Sequence, residues 1–279
     1  MSIARLALVL TALQSVPFGR AEGQVGKPDS RTLLAVFAHP DDETTMSGTL
    51  ARYAREGAKV VIVAVTSGQK GGPNPGPALG ALREAELRAA CKELGISPPR
   101  LLGFMDGTVA TDKHAEIRAR ITQVIRDVRP QVIVTFGPDG VTGHADHIAV
   151  GKLTTEVFEA ETARPGGPTR LYDVAIPRTK AMAMAPILAG RGLTDAEMKQ
   201  LEAGAVPDAS ITVTVDIREF LDTKHRAAAL HTSQFPQGPK YQQWLASLGS
   251  GDQEYFVQVG GGRTGSTDLF YDLLDGRRR

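Results

Sequence analysis

The sequence predicts an open, doubly wound α/β fold: a mainly parallel sheet flanked by helices. Two observations predict it. Four apolar, β-branched runs show no alternation with polar residues, as strands buried on both faces require. Between them lie stretches with helical spacing, and strand–helix–strand repetition with right-handed crossovers stacks strands in parallel. The first run is Leu33–Ala38. Thr49–Glu56 comes next as a helix that stops at Gly57, a C-cap residue. The second run, Val60–Thr66, leads to a longer helix, Leu79–Leu94, closed by Gly95 in the same way. The third is Leu101–Met105. A helix over Lys113–Val128 carries Ile117, Ile121, Val124, Ile125 and Val128 at 3–4 spacing and ends before Pro130. The fourth run is Val132–Phe136, and Leu171–Ile176 reads as a fifth strand. Ser210–Ile217 (SITVTVDI) alternates polar and apolar residues and reads as an edge or antiparallel strand.

The 279 residues carry 32 Lys+Arg against 31 Asp+Glu, a net charge of +1. Phosphate-backbone binding needs a basic excess, so nucleic acid is not an expected partner. Cys91 is the only cysteine. It excludes an intrachain disulfide and a Cys-based zinc site, and leaves His, Asp and Glu as available ligands. Beyond the N-terminus no apolar run reaches about 18 residues, so no internal membrane span is expected. Residues 1–21 have Arg5, the apolar run Leu6–Leu13, and small residues Gly19 and Ala21 at the −3 and −1 positions of a cleavage site, the layout of a signal peptide. Export is expected, with a cytoplasmic protein as the alternative. Residues 22–31 read as a linker and 32–279 as one α/β domain, with a homo-oligomer left open.

The chemistry lies at the carboxyl end of each buried strand. After the first comes His39-Pro40-Asp41-Asp42-Glu43, after the second Ser67-Gly68-Gln69-Lys70-Gly71-Gly72, after the third Asp106-Gly107, and after the fourth a segment ending His144-Ala145-Asp146-His147. Ligands of open α/β sheets bind outside the carboxyl ends of the strands, so these clusters are expected on one rim. A catalytic zinc keeps three protein ligands and one open position. His39, Asp42 and His147 would supply that set. Asp41 and Asp42 diverge, so one binds metal while the other faces the attacking water; the plainer reading is a helix N-cap. His144 would be spare, free to act as acid or oxyanion partner, with Asp146 orienting it.

These pieces resemble the PIG-L / LmbE-like zinc N-deacetylases. The resemblance rests on Ala38-His39-Pro40-Asp41-Asp42-Glu43, Thr66-Ser67-Gly68, Arg83-Glu84-Ala85-Glu86-Leu87, Asp106-Gly107 and His144-Ala145-Asp146-His147, in order, with Lys224–Gln234 (KHRAAALHTSQ) as a later piece. It implies a Rossmann-like fold and metal-dependent removal of an N-acetyl or other N-acyl group from an amino sugar. It implies Zn²⁺, or Fe²⁺, on His39, Asp42 and His147, with Asp41 as general base and His144 as acid or oxyanion stabiliser. Arg83 and Asp106 would contact substrate. Two departures are Ala145, where the family has Pro, and Gln69, where it commonly has Glu.

A match to G-x-G-x-x-G at Gly260–Gly265 lacks the βαβ unit that must come after it, and no G-x-S-x-G elbow occurs. Two alternatives stand beside the deacetylase reading: an amidase of a sugar–thiol conjugate, and a non-catalytic carbohydrate-binding protein of the same fold.

Overall fold

A computed structural model of the chain describes residues 31–72, 74–189, 194–195, 199, 202–234, 251–262, 266–271 and 273. The expected signal peptide and residues 22–30 of the expected linker lie outside them, as do residues 263–265 of the glycine-rich match. Eight strands and six α-helices organise the described chain. β1 (Thr32–Phe37), β2 (Lys59–Thr66), β3 (Arg100–Phe104), β4 (Val132–Phe136) and β5 (Arg170–Pro177) are mutually parallel where they pair. β6 (Ala205–Val206) is a short strand beside β5. β7 (Val213–Asp216) and β8 (Gln253–Gly260) run antiparallel to each other, and β8 runs antiparallel to β5. The order is β3-β2-β1-β4-β5-β8-β7. The alternating segment thus forms the edge strand β7, and β8 inserts between it and β5.

Helices α1 (Ser47–Arg55), α2 (Pro77–Glu93), α3 (His114–Val128) and α4 (Ala145–Glu161) connect the parallel strands. Later in the chain come α5 (Arg178–Ala189) and α6 (Leu221–Ala228). Every residue of β1 and β4 is buried, which explains why neither alternates. The α3 stripe buries the same five residues that its spacing singled out.

The first described strand, β1, lies in the middle of the sheet; from it the chain winds outward to β3, then passes β1 to reach β4. Strand order reverses between β1 and β4, so the loops leaving their carboxyl ends part and leave a crevice. α4 packs tightly there because Gly151 has no side chain; a Cβ would sit 2.3 Å from the Phe136 carbonyl oxygen. That close approach seats the ring of His147 on Phe136, stacked at 4.2 Å between centroids and 3° between planes.

Candidate metal centre and active site

The β1 loop enters a 3₁₀ turn at Asp42–Thr45. Asp42 Oδ2 accepts the backbone N–H of His39 at 2.7 Å, which folds the loop on itself and points Oδ1 outward. From the β4 side, α4 brings His147 across the crevice. The Nε2 of His147 lies 3.1 Å from His39 Nδ1 and 3.2 Å from Asp42 Oδ1; His39 Nδ1 lies 3.5 Å from Asp42 Oδ2. Ligands at about 2.0–2.1 Å from a tetrahedral zinc are about 3.3–3.4 Å apart, so the two edges that meet at His147 Nε2 fit such a site, while Asp42 faces His39 through its other oxygen.

The outer ring nitrogens support this. Nδ1 of His147 donates to the Gly140 carbonyl at 3.0 Å. Nε2 of His39 faces Asp106 Oδ1 at 3.1 Å and Asp146 Oδ2 at 3.4 Å, although neither oxygen lies well in line with an N–H. Each ring therefore holds its proton outward, the arrangement that orients metal-bound imidazoles. Their two inner lone pairs face each other across 3.1 Å, where only a proton or a cation can sit between them. Burial disfavours charge on His39, yet Asp106, Asp146 and Asp42 overcome it and push the imidazole up to about 11. Burial likewise opposes ionisation of Asp42, but His147 and His39 hold its carboxyl well below the usual range. The site demands positive charge, and the residues present fit a divalent cation. The described residues also bring His144 near His39 and His147, and bring Asp106 and Asp146 near His39.

Asp41 stands beside this group without joining it. Its φ of 106° is left-handed, unusual for a residue with a Cβ and a strain of about 1–3 kcal/mol. It stands at the N-cap position of the 3₁₀ turn, but its side chain makes no capping bond there. Burial first, then the charge of Asp42, raises its carboxyl to about 7, against the pull of Arg83.

Arg83 is 3% exposed and does not present an open guanidinium to solvent. Nη1 donates to the Gly68 carbonyl at 2.8 Å; Nη2 donates to the Pro40 carbonyl at 2.7 Å and to Asp41 Oδ1 at 3.0 Å. Gly68, at φ 63°, admits this approach, since a Cβ there would sit 2.5 Å from the guanidinium. The Thr66-Ser67-Gly68 and Arg83 pieces thus meet in one contact. Asp106 is also buried: Oδ2 accepts the Lys70 N–H at 2.9 Å, and Oδ1 faces His39. Both residues expected to touch substrate bear directly on Asp41 and His39.

The expectation that Asp146 orients His144 is corrected. Its oxygens accept the N–H groups of Gly107 at 2.6 Å and Val109 at 3.0 Å, anchoring the loop after β3. The backbone N–H of Asp146, not its carboxylate, donates to His144 Nδ1 at 3.1 Å and caps α4. A short local bond to the helix terminus is available to His144 at no loop cost. Asp146 is instead drawn inward, to the unpaired backbone donors and the His39 ring. With Nδ1 accepting, a neutral His144 carries its proton on Nε2; burial and the neighbouring His39 and His147 lower its pKa. The ring is exposed at the rim.

Sequence reasoning missed the supporting partners. His231 Nε2 meets Glu43 Oε1 at 2.5 Å, with both residues buried. Glu86 accepts from Thr232 Oγ1, and from Ser233 N and Oγ, at 2.6–2.8 Å. Lys224 Nζ meets Glu254 at 2.6 Å. All but Glu254 lie inside the motif pieces; the signal was that these pieces carry more charged residues than a three-ligand site needs. A cleft of about 240 Å³ opens beside the centre, sharing Thr44 and Thr45 with the β1 loop and Val141 with the β4 loop.

Comparison with known proteins agrees with this geometry. Residues 34–158 match the family described as PIG-L, GlcNAc-PI de-N-acetylase. The 1D-myo-inositol 2-acetamido-2-deoxy-alpha-D-glucopyranoside deacetylase of Rhodococcus opacus is 34% identical over 274 residues, covering 83% of this chain and 92% of that protein. Among solved structures, N,N'-diacetylchitobiose deacetylase from Pyrococcus horikoshii aligns at a TM-score of 0.60 and 19% identity, over 90% of each chain. GalB, the 4-carboxy-2-hydroxymuconate hydratase from Pseudomonas putida, aligns at 0.61 and 18% identity, over 85% of this chain and all of its own. A shared fold that hosts both a deacetylase and a hydratase shows that architecture alone does not set the reaction. Sequence identity over most of both chains and the ordered motifs place this chain in the PIG-L (LmbE-like) family of metal-dependent N-deacetylases.

Proposed function

We propose that this chain is a zinc-dependent N-deacetylase that releases acetate from a 2-acetamido sugar of the N-acetylglucosaminyl-inositol class. The observation that carries the reading is the convergence of His39, Asp42 and His147 at 3.1–3.5 Å, with the Asp41 carboxyl beside them. The Rhodococcus relative's named substrate supports the sugar class.

His39, Asp42 and His147 would hold the zinc. Bound there, zinc supplies Lewis acidity, polarising the amide carbonyl and making water nucleophilic near neutral pH. Asp41 takes the proton of the attacking water; a pKa near 7 suits a base working near neutrality. Arg83 holds one Asp41 oxygen, which leaves the other for the water. A neutral His144 donates a hydrogen bond from Nε2 to the oxyanion, and the proton that Asp41 took from the water passes to the departing amine. Asp106 and Asp146 hold the outer edge of His39.

The test is release of free amine from N-acetylglucosaminyl-inositol, N,N'-diacetylchitobiose and N-acetylglucosamine by zinc-loaded protein. Release is expected to stop with chelator and return with zinc. Asp41→Asn is expected to lower kcat by about 10²–10⁴-fold while zinc stays bound. No amine release from any of the three by loaded, folded protein would overturn the reading.

A further inference from the structure

We propose that Glu43 and His231 form a buried dyad that holds the backbone of Asp41 in its left-handed conformation. Both are then positioning residues that act through Asp41, and the proposal rests on the base role given to Asp41 above. Glu43 is 1% exposed and His231 is fully buried, so neither can reach a substrate. The two Glu43 oxygens are divided between two tasks. Oε1 meets His231 Nε2 at 2.5 Å, and Oε2 accepts the backbone N–H of Asp41 at 3.1 Å. A purely structural ion pair has no need to commit its second oxygen to the one residue of the loop held at φ 106°.

The carbonyl of Asp41 and one of its carboxylate oxygens are also tied down. Its carbonyl accepts from Thr44 Oγ1 at 2.7 Å and its carboxylate from Arg83 at 3.0 Å. Glu43 is the anchor on the amide side. With that anchor removed, the peptide is free to turn toward the extended region that residues with a Cβ prefer, and the carboxylate turns with it. His231 makes the anchor possible, because a carboxylate this deeply buried needs a partner. It arrives from beyond α6, 188 residues later in the chain.

The test combines Glu43→Gln with Asp41→Asn, assayed on zinc-loaded protein with the amine-release substrate. A Gln side chain offers one acceptor where two donors wait. Glu43→Gln is expected to lower kcat at least about ten-fold, with KM within about two-fold and zinc content unchanged, since small misplacements of a catalytic group are costly. In the Asp41→Asn background the same change is expected to alter the residual rate less than about two-fold, because the two act as one unit. Wild-type kcat in Glu43→Gln, or an equal loss in both backgrounds, overturns the dyad. Wild-type kcat in Asp41→Asn overturns the base assignment instead. If Glu43→Gln does not fold, two His231 variants decide. His231→Gln extends a donor toward Glu43, whereas His231→Asn is too short. The former is expected to exceed the latter in kcat by about ten-fold; equal values overturn the proposal.

Discussion

The Nη2 atom of Arg83 lies 3.0 Å from Oδ1 of Asp41, joining two residues 42 positions apart in the chain beside the candidate metal centre. The same guanidinium bonds the carbonyls of Pro40 and Gly68. One buried cation thus ties the β1 loop to the β2 loop and pulls the Asp41 pKa down against burial and Asp42.

Arg83→Met removes that pull. A base must be ionised, so the acid limb of the kcat–pH profile is expected to move to higher pH. The loss of charged hydrogen bonds, about 1.5–3 kcal/mol each, corresponds to about 10–10²-fold in kcat near neutral pH. An acid limb at the wild-type pH would show that Arg83 does not act on Asp41.

Asp146→Asn keeps one acceptor for Gly107 and Val109 but weakens the carboxylate wall behind His39. Outer partners of metal-bound histidines typically set about 10–100-fold in metal affinity, and a loss of that size is expected in a chelator-competition titration. An unchanged zinc affinity would leave Asp146 as a loop anchor only.

His144→Ala is expected to retain zinc and lose about 10²–10³-fold in kcat, with about 1 kcal/mol of stability lost from the α4 cap. His147→Ala is expected to lose zinc and turnover together. Metal analysis separates the cases. The His144 ring stands 4.8 and 5.0 Å from the rings of His39 and His147, so a fall in zinc content of His144→Ala would make it a ligand instead.

Asp173 on β5 is pushed up to about 7, first by burial and then by the charge of Asp139. Its folded pKa exceeds the unfolded one. The stability it contributes is therefore complete below about pH 4 and is lost as pH rises through about 7. Asp173→Asn is expected to gain stability over wild type at pH 8 relative to pH 5 by on the order of a few kcal/mol, seen as a larger rise in melting temperature at pH 8. An equal offset at both values would mean that Asp173 ionises normally.

Short-range patterns made the fold legible. Val132–Phe136 is β4 to the residue, and the other three runs fall within a residue of β1, β2 and β3, because a strand buried on both faces needs a continuous apolar run wherever it lies. The rim clusters were legible for the same reason: polar residues at the ends of buried strands have one edge of the sheet to occupy, and His39, Asp42 and His147 meet there. Tertiary structure alone decided how the remaining charges pair. Asp146 turned from its neighbour His144 to His39, Gly107 and Val109; Arg83 went inward to Asp41; and Glu43 found His231 far along the chain. Spacing in sequence determines which face or edge a side chain occupies. Which oppositely charged group it meets depends on how far the packed layers let it reach, and on the cost of leaving any buried charge unpaired.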